Sequence, residues 1–259
     1  MTHTALITGA SSGIGKELAI IHAQYKRDMV LVARREEKLV ELQSDLTKRF
    51  GVKVEVIAMD LSESGAADKL ATKLTERDIS IEYLINNAGF GKWGDFWSQD
   101  PATISAMIRL NILTLTELTR ILLPQMIERK SGKILNVGST AGFIPGPGQA
   151  EYYATKAYVN SFTEALASEL QGTGVSATVL CPGPVETEFA GTADIKNVRA
   201  FKSTTPAPAS EVAKIGYEAM EEGQDMIVDK PLNRLVVHGL TRILPRKAVL
   251  YISKKTMEK

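Results

Sequence analysis

Seven short runs of this chain are apolar almost without interruption: Ala5 to Thr8, Met29 to Ala33, Val52 to Ala58, Tyr83 to Asn86, Lys133 to Val137, Val175 to Leu180 and Met226 to Val228. Strict alternation would mark strands with one face in water, whereas continuous runs of this length mark strands buried on both faces of a parallel sheet. Between them apolar residues recur at spacings of three and four, as at Leu39, Leu42 and Leu46 within 36–49. That is the stripe of a helix packed on one side. The two patterns alternate along the chain, which predicts one α/β domain over residues 1–259, doubly wound around a seven-stranded parallel sheet. Residues 188–210 break the rhythm, being small, polar and proline-bearing. A loop that long inside a compact domain is a functional lid or disordered. Residues 230–259 are expected to form a C-terminal helical extension.

Composition narrows the partners. With 31 basic and 30 acidic residues the net charge is +1, so no global field favours nucleic acid. Cys181 is the only cysteine, which excludes an internal disulfide and fits a reducing compartment. His3, His22 and His238 lack metal-ligand spacing, so no metal is expected. The N-terminus runs straight into a strand without a signal-peptide pattern, and no apolar run reaches membrane-spanning length. A cytoplasmic location follows as the expectation.

The first strand leads into Thr8-Gly9-Ala10-Ser11-Ser12-Gly13-Ile14-Gly15, with a helix beginning near Gly13. Gly9 suits a tight turn, Gly13 the close approach of backbone to a pyrophosphate, and Gly15 close helix packing, with helix N-terminal amides facing the anion. Two other motifs overlap this one. A P-loop ending at Gly15-Lys16 needs glycine at Ala10 and Ser or Thr at Glu17, and fails at both. Gly9 to Gly13 does satisfy G-x-S-x-G, the nucleophile elbow of hydrolases. Yet only eight residues precede it, and its partner histidine could only be His238, which makes a serine hydrolase built on Ser11 a remote alternative. Strand 2 ends in Val32-Ala33-Arg34-Arg35, without the acid that bonds an adenosine ribose. A guanidinium there suits a 2′-phosphate, so Arg34 points to NADP.

Tyr-x-x-x-Lys occurs twice, at Tyr152/Lys156 and Tyr251/Lys255; with 7 tyrosines and 19 lysines, chance supplies about half an occurrence. Context separates the two copies. Tyr152 opens a long helical segment with Lys156 one turn on, and Ser139 stands just past the carboxyl end of a strand, where open α/β sheets bind ligands. Tyr251 lies in a basic tail, where we read it as packing and Lys255 as solvated. A phenol titrates near 10, and a neighbouring ammonium is expected to lower it toward useful proton exchange. Ser139 can donate to a carbonyl oxygen as hydride moves.

Together, TGASSGIG at 8–15, Asp60-Leu61, NNAG at 86–89, Asn111, Ser139, YYATK at 152–156 and PGPVET at 182–187 resemble the short-chain dehydrogenase/reductase family over residues 3–187. The resemblance implies a Rossmann-like fold and a catalytic set of Ser139, Tyr152 and Lys156, with Asn111 holding a water that relays protons through Lys156. It also implies an NADP(H) site. Gly9, Ser11, Ser12, Gly13, Ile14 and Gly15 would cradle the phosphates, Arg34 would select the cofactor, and Asp60 and Leu61 would lie by the adenine. Asn87, Ala88 and Gly89 would run along the cofactor, Lys156 would bond the nicotinamide ribose, and Pro182, Gly183, Val185 and Thr187 would surround the nicotinamide. A homodimer or homotetramer is the family habit.

The expected activity is NADPH-dependent reduction of a carbonyl, or oxidation of a secondary alcohol, on a small or lipid-like substrate. An NADP-binding regulator with vestigial chemistry is the alternative from another class. Phe143, Phe189 and Phe201 hint at an apolar pocket. The tail, residues 230–259, carries eight Lys or Arg against Glu258 alone, interleaved with Leu235, Val236, Val237, Leu240, Ile243 and Leu244. We read it as helices covering the substrate cleft or a subunit interface, with peripheral membrane contact or an acyl-thioester phosphate as the other reading.

Overall fold

Every predicted strand pairs in the computed structural model, which describes residues 3–199, 205–235, 237, 239 and 241–258, Arg242 in its backbone only. Phe201, Val236, His238 and Leu240, named above, lie outside the described residues. The strands are β1 (Ala5–Thr8), β2 (Met29–Ala33), β3 (Val54–Ala58), β4 (Tyr83–Asn86), β5 (Gly132–Val137), β6 (Val175–Cys181), β7 (Val185–Glu186), β8 (Ala207–Pro208) and β9 (Met226–Val228). Seven form one sheet in the order β3-β2-β1-β4-β5-β6-β9. All its pairings are parallel.

Burial on both faces follows from the two-residue period of a strand. Ala5 and Ile7 of β1 point into one core with Leu18, Leu39, Val212 and Tyr217, while Leu6 between them points into the other with Leu70, Leu84, Leu118 and Leu166. The first core is covered by α1 (Gly13–Gln24), α2 (Glu36–Phe50) and, from much later in the chain, α8 (Ala209–Glu222). The second is covered by α3 (Ala66–Glu76), α5 (Leu115–Arg129) and α6 (Ala150–Glu169), with α4 (Pro101–Ile108) leading into α5.

The strand order reverses direction at β1, whose neighbours are β2 and β4. In open α/β sheets the carboxyl ends at such a switch point leave a crevice that adjacent loops cannot fill. The glycine turn after β1, the NNAG segment after β4 and Ser139 after β5 all emerge there.

The irregular stretch at 188–210 is more structured than its composition suggests. Its described part contains α7 (Phe189–Thr192), and β8 pairs with β7 through Val185 and Ala207. Arg199 N donates to the Glu258 carbonyl at 2.9 Å, which ties the segment to the tail. The tail holds α9 (Pro231–Leu235), α10 (Thr241–Ile243) and α11 (Arg246–Thr256). Tyr251, expected to pack, is exposed instead, because Val249 and Ser253 take the inward face of α11.

Candidate active site

The crevice is a cavity of about 690 Å³ that runs from the glycine turn to Tyr152 and on to the tail. Every predicted site residue lines it except Gly15 and Asn111. Both act from just behind its wall. A Cβ on Gly15 would collide with the Gly9 carbonyl and the Asn87 side chain, so only a hydrogen there lets α1 seat against the turn. Gly9 has φ +67°, and a Cβ on it would stand 2.9 Å from Ala88 Cα. The turn therefore closes onto the end of β4 only as glycine.

Thr8 and Asn87 hold that junction. Thr8 Oγ1 accepts from the amides of Asn87 and Ala88 at 3.0 Å each, and Asn87 Nδ2 donates to the carbonyls of Thr8 at 3.0 Å and Gly9 at 3.2 Å. The NNAG segment thus fixes the cradle, and its own backbone forms the cavity wall. A cradle that any side chain would fill, at the N-terminus of α1, fits a dinucleotide pyrophosphate.

On α6, Tyr152 and Lys156 lie one turn apart, facing the cavity. The Lys156 ammonium donates to the Val137 carbonyl at 2.7 Å and sits 5.8 Å from the centre of the Tyr152 ring. Burial lowers its pKa to about 8. Tyr152 departs from expectation. Burial drives its phenol above the ordinary tyrosine value, Tyr153 adds to the rise, and a hydrogen bond with Ser139 only partly opposes it. The reason is the burial of the phenol, which outweighs that bond.

Ser139 begins the turn of 3₁₀ helix at Thr140–Phe143, where its Oγ accepts from Ala141 N at 3.0 Å. Asn160, one turn beyond Lys156, clamps it: Asn160 Nδ2 donates to the Ser139 carbonyl at 3.0 Å, and its Oδ1 accepts from Ser139 N at 3.4 Å and from the Cys181 thiol at 3.5 Å. Asn111 lies in a π-helical turn, Arg109–Thr114, the widened geometry that recurs at functional sites. Its Nδ2 donates to the Phe90 carbonyl at 2.9 Å and to Thr155 Oγ1 at 3.0 Å, and its Oδ1 accepts from Phe90 N at 3.1 Å. A Cβ on Gly89 would lie 3.1 Å from that Oδ1 and 3.6 Å from Lys156 Nζ, so both polar groups converge on one spot beside the backbone.

This arrangement matches a known lineage: the short chain dehydrogenase family matches residues 3–197. The chain belongs to that family. It is 37% identical over 221 residues to sulfoacetaldehyde reductase 2 of Chromohalobacter salexigens, covering 83% of this chain and 87% of that protein. It is 34% identical to the human very-long-chain 3-oxoacyl-CoA reductase, covering 97% of this chain and 80% of that protein. A solved short-chain dehydrogenase from Sphingobium yanoikuyae, in complex with NADPH, superposes with a TM-score of 0.82 at 31% identity over 94% of this chain and 96% of that one. This dehydrogenase is accordingly a nicotinamide-dependent oxidoreductase acting on C=O and CH–OH groups.

Four features of the dehydrogenase site were not anticipated in the sequence. Asn160 is one, although its place on the Tyr152/Lys156 face of α6 was a usable signal. Arg35 is another: its guanidinium donates to Ser11 Oγ at 3.1 Å and Ser12 Oγ at 3.0 Å and pairs with Glu188 at 2.8 Å. That occupies Ser11 with a cation unable to act as a base, while His3 pairs with Glu82 and His22 bonds Tyr217, so nothing among the described residues supports a hydrolase triad. Arg34 is mostly exposed, 3.8 Å from Asp60. Asp60 accepts from Ser62 N at 2.9 Å and Oγ at 2.7 Å. Burial raises the Asp60 pKa, but these bonds and Arg34 prevail and hold it below the usual carboxylate range.

The third is Gln149, a cavity-lining residue buried at 2% exposure, whose Nε2 has no partner among the described residues. The fourth is which residues build the apolar far end beyond the hinted phenylalanines: Ile144, Tyr153, Ile195, Val198 and Met257 join Phe189 there. Phe189 packs 5.2 Å from the Tyr152 ring, as its aromatic hint suggested, whereas Phe143 packs behind the site near Val159 and Cys181.

Proposed function

We propose that this dehydrogenase uses NADPH to reduce a carbonyl on a small or lipid-like substrate, Tyr152 giving the proton. The observation that carries the reading is the convergence of Ser139, Tyr152 and Lys156 on one cavity whose other end is the glycine cradle. When bound, the nicotinamide supplies a hydride from its C4 carbon. The chain's own residues do the rest. Ser139, its backbone clamped by Asn160 and its Oγ aimed by the turn at 140–143, donates to the carbonyl oxygen and stabilises the charge that grows there. Tyr152 delivers the proton to the same oxygen, and in the reverse direction takes it back. Lys156 and Asn111, on either side of Gly89, hold the water through which the phenol is reprotonated. Lys156 would also bond the nicotinamide ribose.

Preference for the phosphorylated cofactor rests on strand β2, which ends in Arg34 and Arg35 with no acid, and on the NADPH in the Sphingobium yanoikuyae relative. Arg34 stands at the lip, where a 2′-phosphate would meet it; Arg35 stiffens the turn beneath. Gln149 Nε2 offers a donor to a second polar group of the substrate, and the apolar end accommodates its hydrocarbon. A reducing, cytoplasmic setting suits the lone buried Cys181, and a homo-oligomer suits the exposed Ile108, Leu113, Ile127 and Tyr158 on α4 to α6.

The test is NADPH oxidation across ketones, aldehydes, ketoacyl thioesters and steroids. We expect turnover with at least one class, faster with NADPH than NADH. Tight NADPH binding without turnover anywhere on the panel would instead favour the regulatory reading.

A further inference from the structure

We infer that the surface around the substrate end of the cavity docks on an anionic lipid bilayer. Large apolar side chains are left in water there. Trp97 is 84% exposed, Ile243 81% and Leu232 69%, with Phe96, Leu235 and Tyr251 also exposed. They come from two segments, 96–97 and 232–251, tied together through Trp93, whose Nε1 donates to the Met257 carbonyl at 3.3 Å, while Asn233, Thr256 and Met257 of the tail line the cavity.

Charge selects the partner. The tail's eight Lys or Arg against one acid give it a net +7, so with the whole chain at +1 the other residues are net −6. The one acid, Glu258, is already paired with Lys255 at 3.3 Å. On α11 the inward residues are Val249 and Ser253, followed by buried Met257 just past its end, leaving Lys247, Tyr251, Lys254 and Lys255 outward. Lysines around an aromatic ring are the composition of a helix lying in a headgroup layer, and they are depleted from the centres of protein interfaces. A second copy placed symmetrically on this face would set one +7 segment against another. Asp95 and Asp100 flank Phe96 and Trp97, but Asp100 is committed to capping α4, accepting from Thr103 N at 3.0 Å. Docked in this way, the apolar end of the cavity opens toward the bilayer. The substrate class, resting on the carbonyl-reductase reading, is then a carbonyl compound with a long hydrocarbon chain.

The experiment is co-sedimentation of the full chain with phosphatidylcholine vesicles, with and without phosphatidylglycerol, at low and high salt. Binding is expected only with phosphatidylglycerol, and salt should weaken it. The combined variant Lys247→Glu, Lys254→Glu, Lys255→Glu should bind at least about tenfold more weakly, and Trp97→Ala should weaken binding too, each with unchanged turnover of a water-soluble carbonyl. No binding by the parent at low salt overturns the proposal, as does undiminished binding by the triple variant. So does a parent dimer that the triple variant dissociates in light scattering, which would assign the face to a second copy. Turnover of the soluble carbonyl reports the enzymatic reading independently.

Discussion

The two ends of the sheet carry two clusters of buried and half-buried titratable groups, and only one of them opens on the cavity. At the carboxyl ends, Ser139, Tyr152 and Lys156 face a cavity. At the amino end, His22, Arg27, Tyr217 and Glu221 meet between α1 and α8 and bond one another. His22 Nε2 lies 3.1 Å from the His3 carbonyl and 3.2 Å from that of Asp28, so it carries the proton, and Nδ1 accepts from the Tyr217 hydroxyl at 2.8 Å. That hydroxyl in turn accepts from Arg27 at 2.9 Å, and Arg27 pairs with Glu221. Burial displaces pKa values in both clusters, lowering His22 to about 4 and Lys156 to about 8. A displaced pKa therefore does not by itself mark chemistry. Open space beside the group does.

The sharpest way to break this comparison is the same change at both ends. Tyr152→Phe should lower kcat/KM on the order of a thousandfold while leaving the unfolding midpoint near that of the parent, since a general acid is lost. Tyr217→Phe should leave kcat/KM intact and cost about 1–3 kcal/mol of stability, because His22 Nδ1 and one Arg27 donor lose a partner. Steady-state rates and urea unfolding of both proteins test the pair, and a Tyr217→Phe enzyme that loses turnover would erase the distinction.

The next effect is in pH. His22 titrates near 4 when folded against 6.5 in an unfolded chain, so the stability it contributes is complete above about 6.5 and is lost as pH falls toward 4. The loss amounts to about 3 kcal/mol. It should appear as the difference in urea midpoints between the parent and His22→Gln across that window, and a difference flat in pH would refute it.

Lys156→Met should abolish turnover yet raise stability by about 1–2 kcal/mol at pH 7, since a buried ammonium is replaced by an apolar group of similar shape. Thermal unfolding checks it, and a lower midpoint would mean that the bond to Val137 outweighs desolvation. The smallest effect expected is at the lip: Arg34→Ala should reduce discrimination between NADPH and NADH by about tenfold, read from the two dissociation constants. An unchanged ratio would pass the selecting role to Arg35.

Most of the fold was legible because buried parallel strands write themselves as unbroken apolar runs; only β3 begins later than expected, at Val54 rather than Val52. The glycine turn and the Tyr-x-x-x-Lys pair were legible for a related reason, since each is a short-range geometry fixed by neighbours a turn away. Asn160 and Gln149 were harder to read. A buried carboxamide has no sequence pattern of its own, and its role depends on what the fold sets opposite it.

The sequence by itself determined the parallel sheet, through local periodicity, and pointed to the crevice residues and the family through motifs that together resemble the short-chain dehydrogenase/reductases. Only the tertiary structure decided that Tyr152 is raised rather than lowered, that Arg35 rather than Arg34 grips the glycine turn, and that the tail shares the cavity with the segment after Phe189. Each of those depends on groups far apart in the chain, brought together by packing, where desolvation and hydrogen-bond geometry set the outcome.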